Sequence, residues 1–548
     1  MSFGSAPNNL PIFEAPTIYR DELYFSASTN EEEHTRLFKT NGREVSSFDV
    51  SPGYAVGAQA IEFQGQLYFR GDDGDGIEPF RTDGHTITNL NLSEGPEGSG
   101  VHSFKTLGNN LYFQGSIVDS SGTWQSYLFH TDGIDTASLA NTNTNESYPW
   151  GNSAGGKFYF PANGPNGLEL YSADGREIHQ VIDVNPGLGD SLPWPAGELN
   201  GEFYFTALEP RGRGLYRTDG ENAVQLPFPP DPTPDSGPVN FLNFGGALYF
   251  LGKGKDGYEL YRTDGGSVTH TDLLPGPESS VPATYSSIEL DNKLLIPGRG
   301  ANGWAVFVIN SAGELVNQLD LGLVPAGDKV ERGFYDLPPQ DLHEFRGEVY
   351  FQGTGPNGPD LYKTDGETLT KMELGALAGS VIRGVATHDA QVLDGSLYFR
   401  ASTSDGFKLV KTDGATTSTL DLWPDGDTFS NLELIGDELV FQIHTGSSTV
   451  ISATDGTTVR RLAEFPDWAT DLGYGYPEYV RSATSFLRFR DELMFLGRTE
   501  QGWRLHRIAA VPEPLGIAMV VFALAGIAAM RRSHQVGQQR RVASYEIA

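Results

Sequence analysis

One phrase of apolar and polar positions returns along almost the whole chain: three successive apolar residues, then roughly a dozen of mixed character, then a hydrophobic pair closed by Thr-Asp-Gly. The apolar triplet begins at Leu23, Leu67, Leu111, Phe158, Phe203, Leu248, Leu294, Val349, Leu397, Leu439 and Leu493. Eleven units therefore follow one another, their starts 42 to 55 residues apart with a mean period of 47. Self-similarity at such a period marks a repeat architecture. The sixth unit is the clearest copy, with Leu248-Tyr249-Phe250 followed by Glu259-Leu260-Tyr261-Arg262-Thr263-Asp264-Gly265.

Each unit reads as four short strands. In the third, residues 103–107 lead through Gly108, Asn109 and Asn110 into 111–114; a polar turn precedes 126–130, and a last strand near 137–139 follows Asp132-Gly133. Turn signals this close, with aromatic and β-branched residues between them, predict an antiparallel meander. Helical periodicity is missing throughout the array. Because the triplet is apolar at three consecutive positions, both faces of its strand need burial, as in a sheet packed between two others. The prediction is an all-β chain of β-propeller blades. Eleven exceeds the usual four to eight blades, so the units are expected to make two propellers in tandem, units 1–7 over residues 16–325 and units 8–11 over 326–508. The expected boundary is the 55-residue step holding Pro325, Pro338 and Pro339. Residues 1–15 are expected to supply a closing strand: Leu10 to Phe13 precede the first strand of unit one, and unit eleven lacks a fourth strand.

The Asp-Gly step predicts a two-residue type I′ hairpin, in which both central residues take positive φ. Nine units carry it: Asn41-Gly42, then Asp83, Asp132, Asp174, Asp219, Asp264, Asp365, Asp413 and Asp455, each followed by Gly. Unit seven departs with Asn310-Ser311-Ala312-Gly313, and unit eleven runs out at Arg507-Ile508. A functional reading makes these carboxylates a Ca²⁺-binding rim. A calcium loop needs several converging oxygens and most units supply one, so turn chemistry is the expectation.

The phrase at residues 259–265 resembles the ELWxTDGT-type repeats of bacterial exported proteins, a resemblance covering roughly residues 16 to 508. Here Tyr or Phe stands in place of Trp and the closing Thr is often lost. The resemblance implies a secreted or surface scaffold and brings no catalytic residue with it.

Charge narrows the partners. The 548 residues hold 71 Asp and Glu against 38 Lys and Arg, a formal charge of −33, which would repel a polyphosphate and argues against nucleic acid. Cysteine is absent, excluding disulfides, thiolate metal sites and cysteine nucleophiles. Gly and Pro number 67 and 33, more than average but short of a disordered low-complexity chain.

Several short motifs invite a function that the repeat explains. Gly252 to Gly257, Gly298 to Gly303 and Gly353 to Gly358 fit the dinucleotide pattern G-x-G-x-x-G, yet a strand rather than a helix follows each, so they read as hairpin loops. Gly151-Asn152-Ser153-Ala154-Gly155 fits the nucleophile-elbow spacing and reads as a turn for the same reason. Arg70-Gly71-Asp72 spells an adhesion tripeptide and continues into Asp73, Gly74, Asp75 and Gly76, the one tip whose spacing resembles a calcium loop. Asp72, Asp73 and Asp75 are thus the candidate Ca²⁺ ligands, set against a plain solvated loop. His343-Glu344 lacks the second histidine of a zinc helix. Trp304 and Trp503 follow a loop Gly, as Tyr258 and Phe407 do, and read as blade packing before sugar stacking.

After Arg507 the pattern stops. Val511-Pro512-Glu513-Pro514 precedes sixteen uncharged residues, 515–530, and then Arg531-Arg532. Sixteen helical residues span about 24 Å, near the ~30 Å of a hydrocarbon core, and paired arginines favour the cytoplasmic side. These three elements in this order resemble the PEP-CTERM sorting signal over residues 509–548, which implies recognition by an exosortase-type enzyme, a transmembrane helix over 515–530 and export to the cell surface or matrix. An ordinary C-terminal anchor is the plainer alternative. No basic residue stands before Arg20, and residues 10–13 are too short for a signal-peptide core. The expected function is an exported, non-catalytic scaffold or binding protein contacting polysaccharide or protein. The alternative is an extracellular hydrolase of matrix polysaccharide.

Overall fold

The computed structural model describes residues 16–509 except 29–34, 49, 51–59, 73–75, 94–97, 119–121, 143–150, 229–236, 255–256, 277, 323–337, 357, 373, 375–381, 404–405, 421–427, 446, 467, 471–477, 481–485 and 500–501. The described residues form eleven propeller-type blades and contain no α-helix, only a short 3₁₀ turn at Thr284–Ser286. Ten blades are four-stranded meanders; the last has three described strands, Leu487–Phe489, Glu492–Thr499 and Gly502–Ala509. One further ribbon, Trp468–Thr470 against Glu478–Val480, was not anticipated by the repeat pattern.

Blade 6 shows how the phrase folds. Its strands are Val239–Phe244, Ala247–Gly254, Gly257–Thr263 and Val268–Thr271. Leu248, Tyr249 and Phe250 are all buried, but alternate residues face opposite neighbours. Leu248 and Phe250 pack on Leu199, Tyr204 and Leu215 of blade 5, while Tyr249 packs on Leu294, Ile296 and Phe307 of blade 7. A three-residue apolar run thus serves two inter-blade cores.

The described residues divide into two compact units, along other lines than a break at residue 325. One holds Lys105–His388 with Ala401–Ser404. Within it blades 3 to 8 pack in succession; Leu319 and Leu321 of blade 7 share a core with Val349, Phe351 and Tyr362 of blade 8. The other takes the described residues up to Phe104 together with Asp389–Arg400 and those from Asp405 onward. In this unit the two ends of the array meet: Leu23, Phe25 and Phe38 of blade 1 share a core with Phe489, Met494 and Leu505 of blade 11. That seam repeats the one between blades 1 and 2. Lys39 Nζ donates to Gly84 O at 2.9 Å, and Arg507 Nη1 donates to Gly42 O at 3.2 Å from the corresponding strand. Residues 10–13, expected to close the last blade, lie outside the described residues, as do 510–548.

Candidate functional site: the carboxylates of the repeat

The Thr-Asp-Gly turn uses each of its side chains, but not as a type I′ hairpin. Thr82 pairs with Ile87, which leaves four residues in the loop rather than two. Only the glycine takes positive φ, Gly84 at 92° and Gly265 at 95°. Asp83 Oδ1 accepts N–H groups from His85 at 2.9 Å and Thr86 at 2.8 Å, an Asx turn. Buried Thr82 accepts from Gly84 N–H and donates to Thr86 O. Asp132, Asp219, Asp264, Asp365, Asp413 and Asp455 repeat the geometry, and Asn41 reproduces it with an amide oxygen; Asn310, in a five-residue loop, accepts instead from Ala312 and Glu314 N–H. Asp174 is the exception: it pairs with Glu177 in a tighter hairpin. The N–H donors hold the Asp83 and Asp455 carboxyls down at about 2.

Type I′ geometry lies instead between first and second strands. Asn200-Gly201 and Gly245-Gly246 have positive φ at both residues, and so do Arg20-Asp21 and Asp291-Asn292, which contain no glycine at all. Register dictates this: Leu199 pairs with Glu202 and Leu290 with Lys293, so only two residues can turn the chain.

A second set of carboxylates escaped the pattern reading. Glu78, Glu169 and Glu259, at one position of the third strand in blades 2, 4 and 6, are fully or almost fully buried. Each pins the loop that leads to the next blade. Glu78 accepts from Leu92 N–H at 3.0 Å, Ser93 N–H at 3.2 Å and Ser99 Oγ at 2.8 Å. Glu259 accepts from Leu273 N–H at 3.0 Å, Ser280 N–H at 3.1 Å and Ser280 Oγ at 2.7 Å. Burial pushes both carboxyls above the usual range, and these donors pull the other way. In blade 8 Asp360 takes the position and pairs with Lys371. A Glu followed 21 or 22 residues later by a Ser, across a Gly/Pro-rich loop, is the signal that would have found them.

The remaining predicted sites separate cleanly. Gly300 pairs with Gly303 and Gly254 with Gly257, so the dinucleotide-like segments are strand hairpins. Asn152–Ala154 is a strand ending in the Gly155-Gly156 turn. Arg70-Gly71-Asp72 lies within the strand Gln66–Asp72 rather than at a loop tip, and a Cβ on buried Gly71 would stand 2.8 Å from the Phe80 ring. Asp72 Oδ1 accepts Gly76 N–H at 3.2 Å; its expected partners Asp73 and Asp75 lie outside the described residues. So do Val511, Pro512, Glu513, Pro514, Arg531, Arg532 and the expected helix over 515–530. No helix among the described residues is long and apolar enough to cross a membrane.

No protein-family model matches the chain, and no curated protein is similar to it in sequence. Similar solved structures include a puromycin-hydrolyzing peptidase of Mycobacterium tuberculosis, 16% identical over 64% of this chain and 61% of that one, with a TM-score of 0.29. An acylaminoacyl peptidase of Pyrococcus horikoshii is 10% identical over 64% and 60%, with a TM-score of 0.27. The extracellular domain of a one-component system of B. thetaiotaomicron is 12% identical over 90% and 69%, with a TM-score of 0.22. The chain spans about three fifths of the length of the two peptidases. Likeness of this degree carries no argument about what the chain does.

Proposed function

We propose that this chain is an exported, non-catalytic scaffold or binding protein of the cell surface or extracellular matrix, delivered by its C-terminal segment. The observation that carries the reading is the order of Val511-Pro512-Glu513-Pro514, the uncharged stretch 515–530 and Arg531-Arg532, following directly on an array of blades. In this reading the stretch crosses the membrane, the arginines stay inside, and an exosortase-type enzyme processes the chain near Pro512 to Pro514. Four Arg against two Glu follow residue 510, so the first 510 residues carry −35, a charge suited to a strongly hydrated exposed array. Seven of the Asp-Gly aspartates and the buried Glu78 and Glu259 accept hydrogen bonds from the chain itself, and the reading accordingly puts binding of a polysaccharide or protein before hydrolysis. The same reading takes the blades as two propellers rather than one wide ring.

Fractionation with mass spectrometry of the mature C-terminus tests the address. A membrane or surface protein trimmed near Pro514 is expected; a cytoplasmic chain with Ala548 intact overturns it. Glycan arrays beside hydrolysis assays on the same sugars separate binding from catalysis. Electron microscopy of the intact chain showing a single eleven-bladed ring would remove the two-propeller reading.

A further inference from the structure

In a four-stranded meander the start of the first strand and the turn after the third lie on opposite faces of the blade. The Asp-Gly turns occupy the second of these faces. On the first, at blades 5 to 7, large apolar side chains stand in solvent. Trp194 opens the first strand of blade 5, Trp194–Leu199, and is 44% exposed; Val239 opens that of blade 6 and is exposed as well. Register puts both at one level, since Trp194 pairs with Thr206 and Val239 with Leu251, the residue that follows each blade's apolar triplet.

Blade 7 adds a third side chain by a detour. Ala283 N–H donates to Pro297 O at 2.7 Å and Ile288 pairs with Leu295, so more residues lie between these two points than the pairing needs. They leave the strand as the 3₁₀ turn Thr284–Ser286, which carries Tyr285 out to 74% exposure. The turn is pinned: Thr284 Oγ1 donates to Asn240 O, beside Val239, and Ser287 Oγ donates to Thr284 O at 2.6 Å. Blades 5 and 6 are tied across their first strands, where Asn243 Nδ2 donates to Glu198 O at 2.9 Å. Trp194, Val239 and Tyr285 thus stand on three successive blades, with about 10 Å from one packed sheet to the next.

The loop entering blade 7 also holds an exposed side chain under strain. Val281 has a φ of 42°, a region that a β-branched residue occupies only at a cost. On entry to blade 3, where Ser99 makes the bond to a buried glutamate that Ser280 makes here, the next residue is Gly100, with a φ of 57°. Glycine suits this backbone better, so the fold alone does not account for an exposed valine.

Two partly covered rings, each of at most about 250 Å², and two valines fall short of the ~800 Å² a side of a stable protein interface. Rings held rigid at the water's edge suit the C–H faces of sugars, which stack on an aromatic plane while their hydroxyls stay in solvent. Asp190 and Glu278, exposed on the loops entering blades 5 and 7 of a chain of charge −33, disfavour a polyanion. Resting on the binding reading above, we propose that Trp194 and Tyr285, with Val239 between them and Val281 at the blade 7 end, form a platform on which an uncharged polysaccharide stacks its pyranose rings, its chain running across blades 5 to 7.

The test passes the purified intact chain over arrayed uncharged glucans, mannans, galactans and chitin-type chains, with alginate as the polyanionic arm. The wild type should bind at least one uncharged chain and leave alginate. Trp194→Ala and Tyr285→Ala should each weaken that binding about tenfold or more with the melting temperature unmoved, and Trp194→Phe should recover part of it. Val281→Gly should weaken binding without loss of stability. Trp124→Ala, which removes another exposed ring from a hairpin of blade 3, should change nothing. If Trp194→Ala unfolds the chain, the more exposed Tyr285 decides. No binding to any uncharged chain, binding to alginate alone, Y285A that binds as the wild type does, or an equal loss in W124A would each overturn the platform. None of these touches the export reading, which falls on a cytoplasmic chain with Ala548 intact, whether or not the purified protein binds sugar.

Discussion

Glu259 and Asp264 stand at the two ends of one stretch of blade 6, carry the same charge, and meet opposite surroundings. Glu259 is buried and holds three donors from a loop 14 to 21 residues away. Asp264 is exposed and holds two N–H groups of its own turn, from Gly266 and Ser267. Burial drives the first carboxyl up and local donors drive the second down. One carboxylate therefore organises tertiary structure and the other a turn. Blade 4 departs from this division at one end, with Asp174 taken into a strand hairpin.

The largest expected effect comes from the buried end. Glu259→Ala leaves Leu273 N–H, Ser280 N–H and Ser280 Oγ without their acceptor, and should cost about 3 kcal/mol or more. Denaturant midpoints measure it, and Glu259→Gln should recover part by returning one oxygen. A midpoint unmoved by E259A would mean the loop does not depend on the carboxylate.

Next comes the glycine of the turn. Gly265 has a φ of 95°, and a Cβ there would stand 2.6 Å from the Tyr204 hydroxyl. Gly265→Ala should destabilise by about 1 to 2 kcal/mol through strain and overlap, against no change if the turn simply relaxes. Asp264→Ala should cost less, under about 1 kcal/mol, because water replaces exposed bonds cheaply. Asp264→Asn should be nearly silent, since Asn41 already does the same work.

The smallest effect is the sharpest discriminator, because the two carboxyls titrate with opposite sign. Asp264 is lowered in the fold, so its contribution is complete above its ordinary value near 4 and lost as pH falls through the lowered one. Glu259 is raised, so folding favours its protonated form; that contribution is complete below its ordinary value near 4 and fades as pH rises through the raised one. Stability measured from acid to neutral pH should show the wild-type advantage over E259Q shrinking with rising pH, and that over D264N growing. Parallel profiles would erase the distinction.

The repeat, the four-strand blade and the two-sided burial of the triplet could all be read from residues a few positions apart, because strand alternation and turn propensity are short-range. So could the turn role of Asp83 and its sisters, whose oxygens reach only the next two or three N–H groups. The turn type could not. Type I′ conformations occur at Arg20-Asp21 and Asp291-Asn292, against the local preference for glycine, because strand pairing on either side leaves two residues to reverse the chain.

What the sequence determined alone is therefore the blade and its count, which need only each unit's own apolar spacing. Tertiary structure decided the rest. Which glutamate is buried depends on a serine 21 or 22 residues downstream folding back over it. That Phe38 packs on Phe489, and that Arg507 reaches the carbonyl of Gly42, depends on bringing together residues more than 400 positions apart. Hydrophobic spacing says that a face must be covered; it does not say by what, because burial is non-directional and every blade offers the same kind of surface.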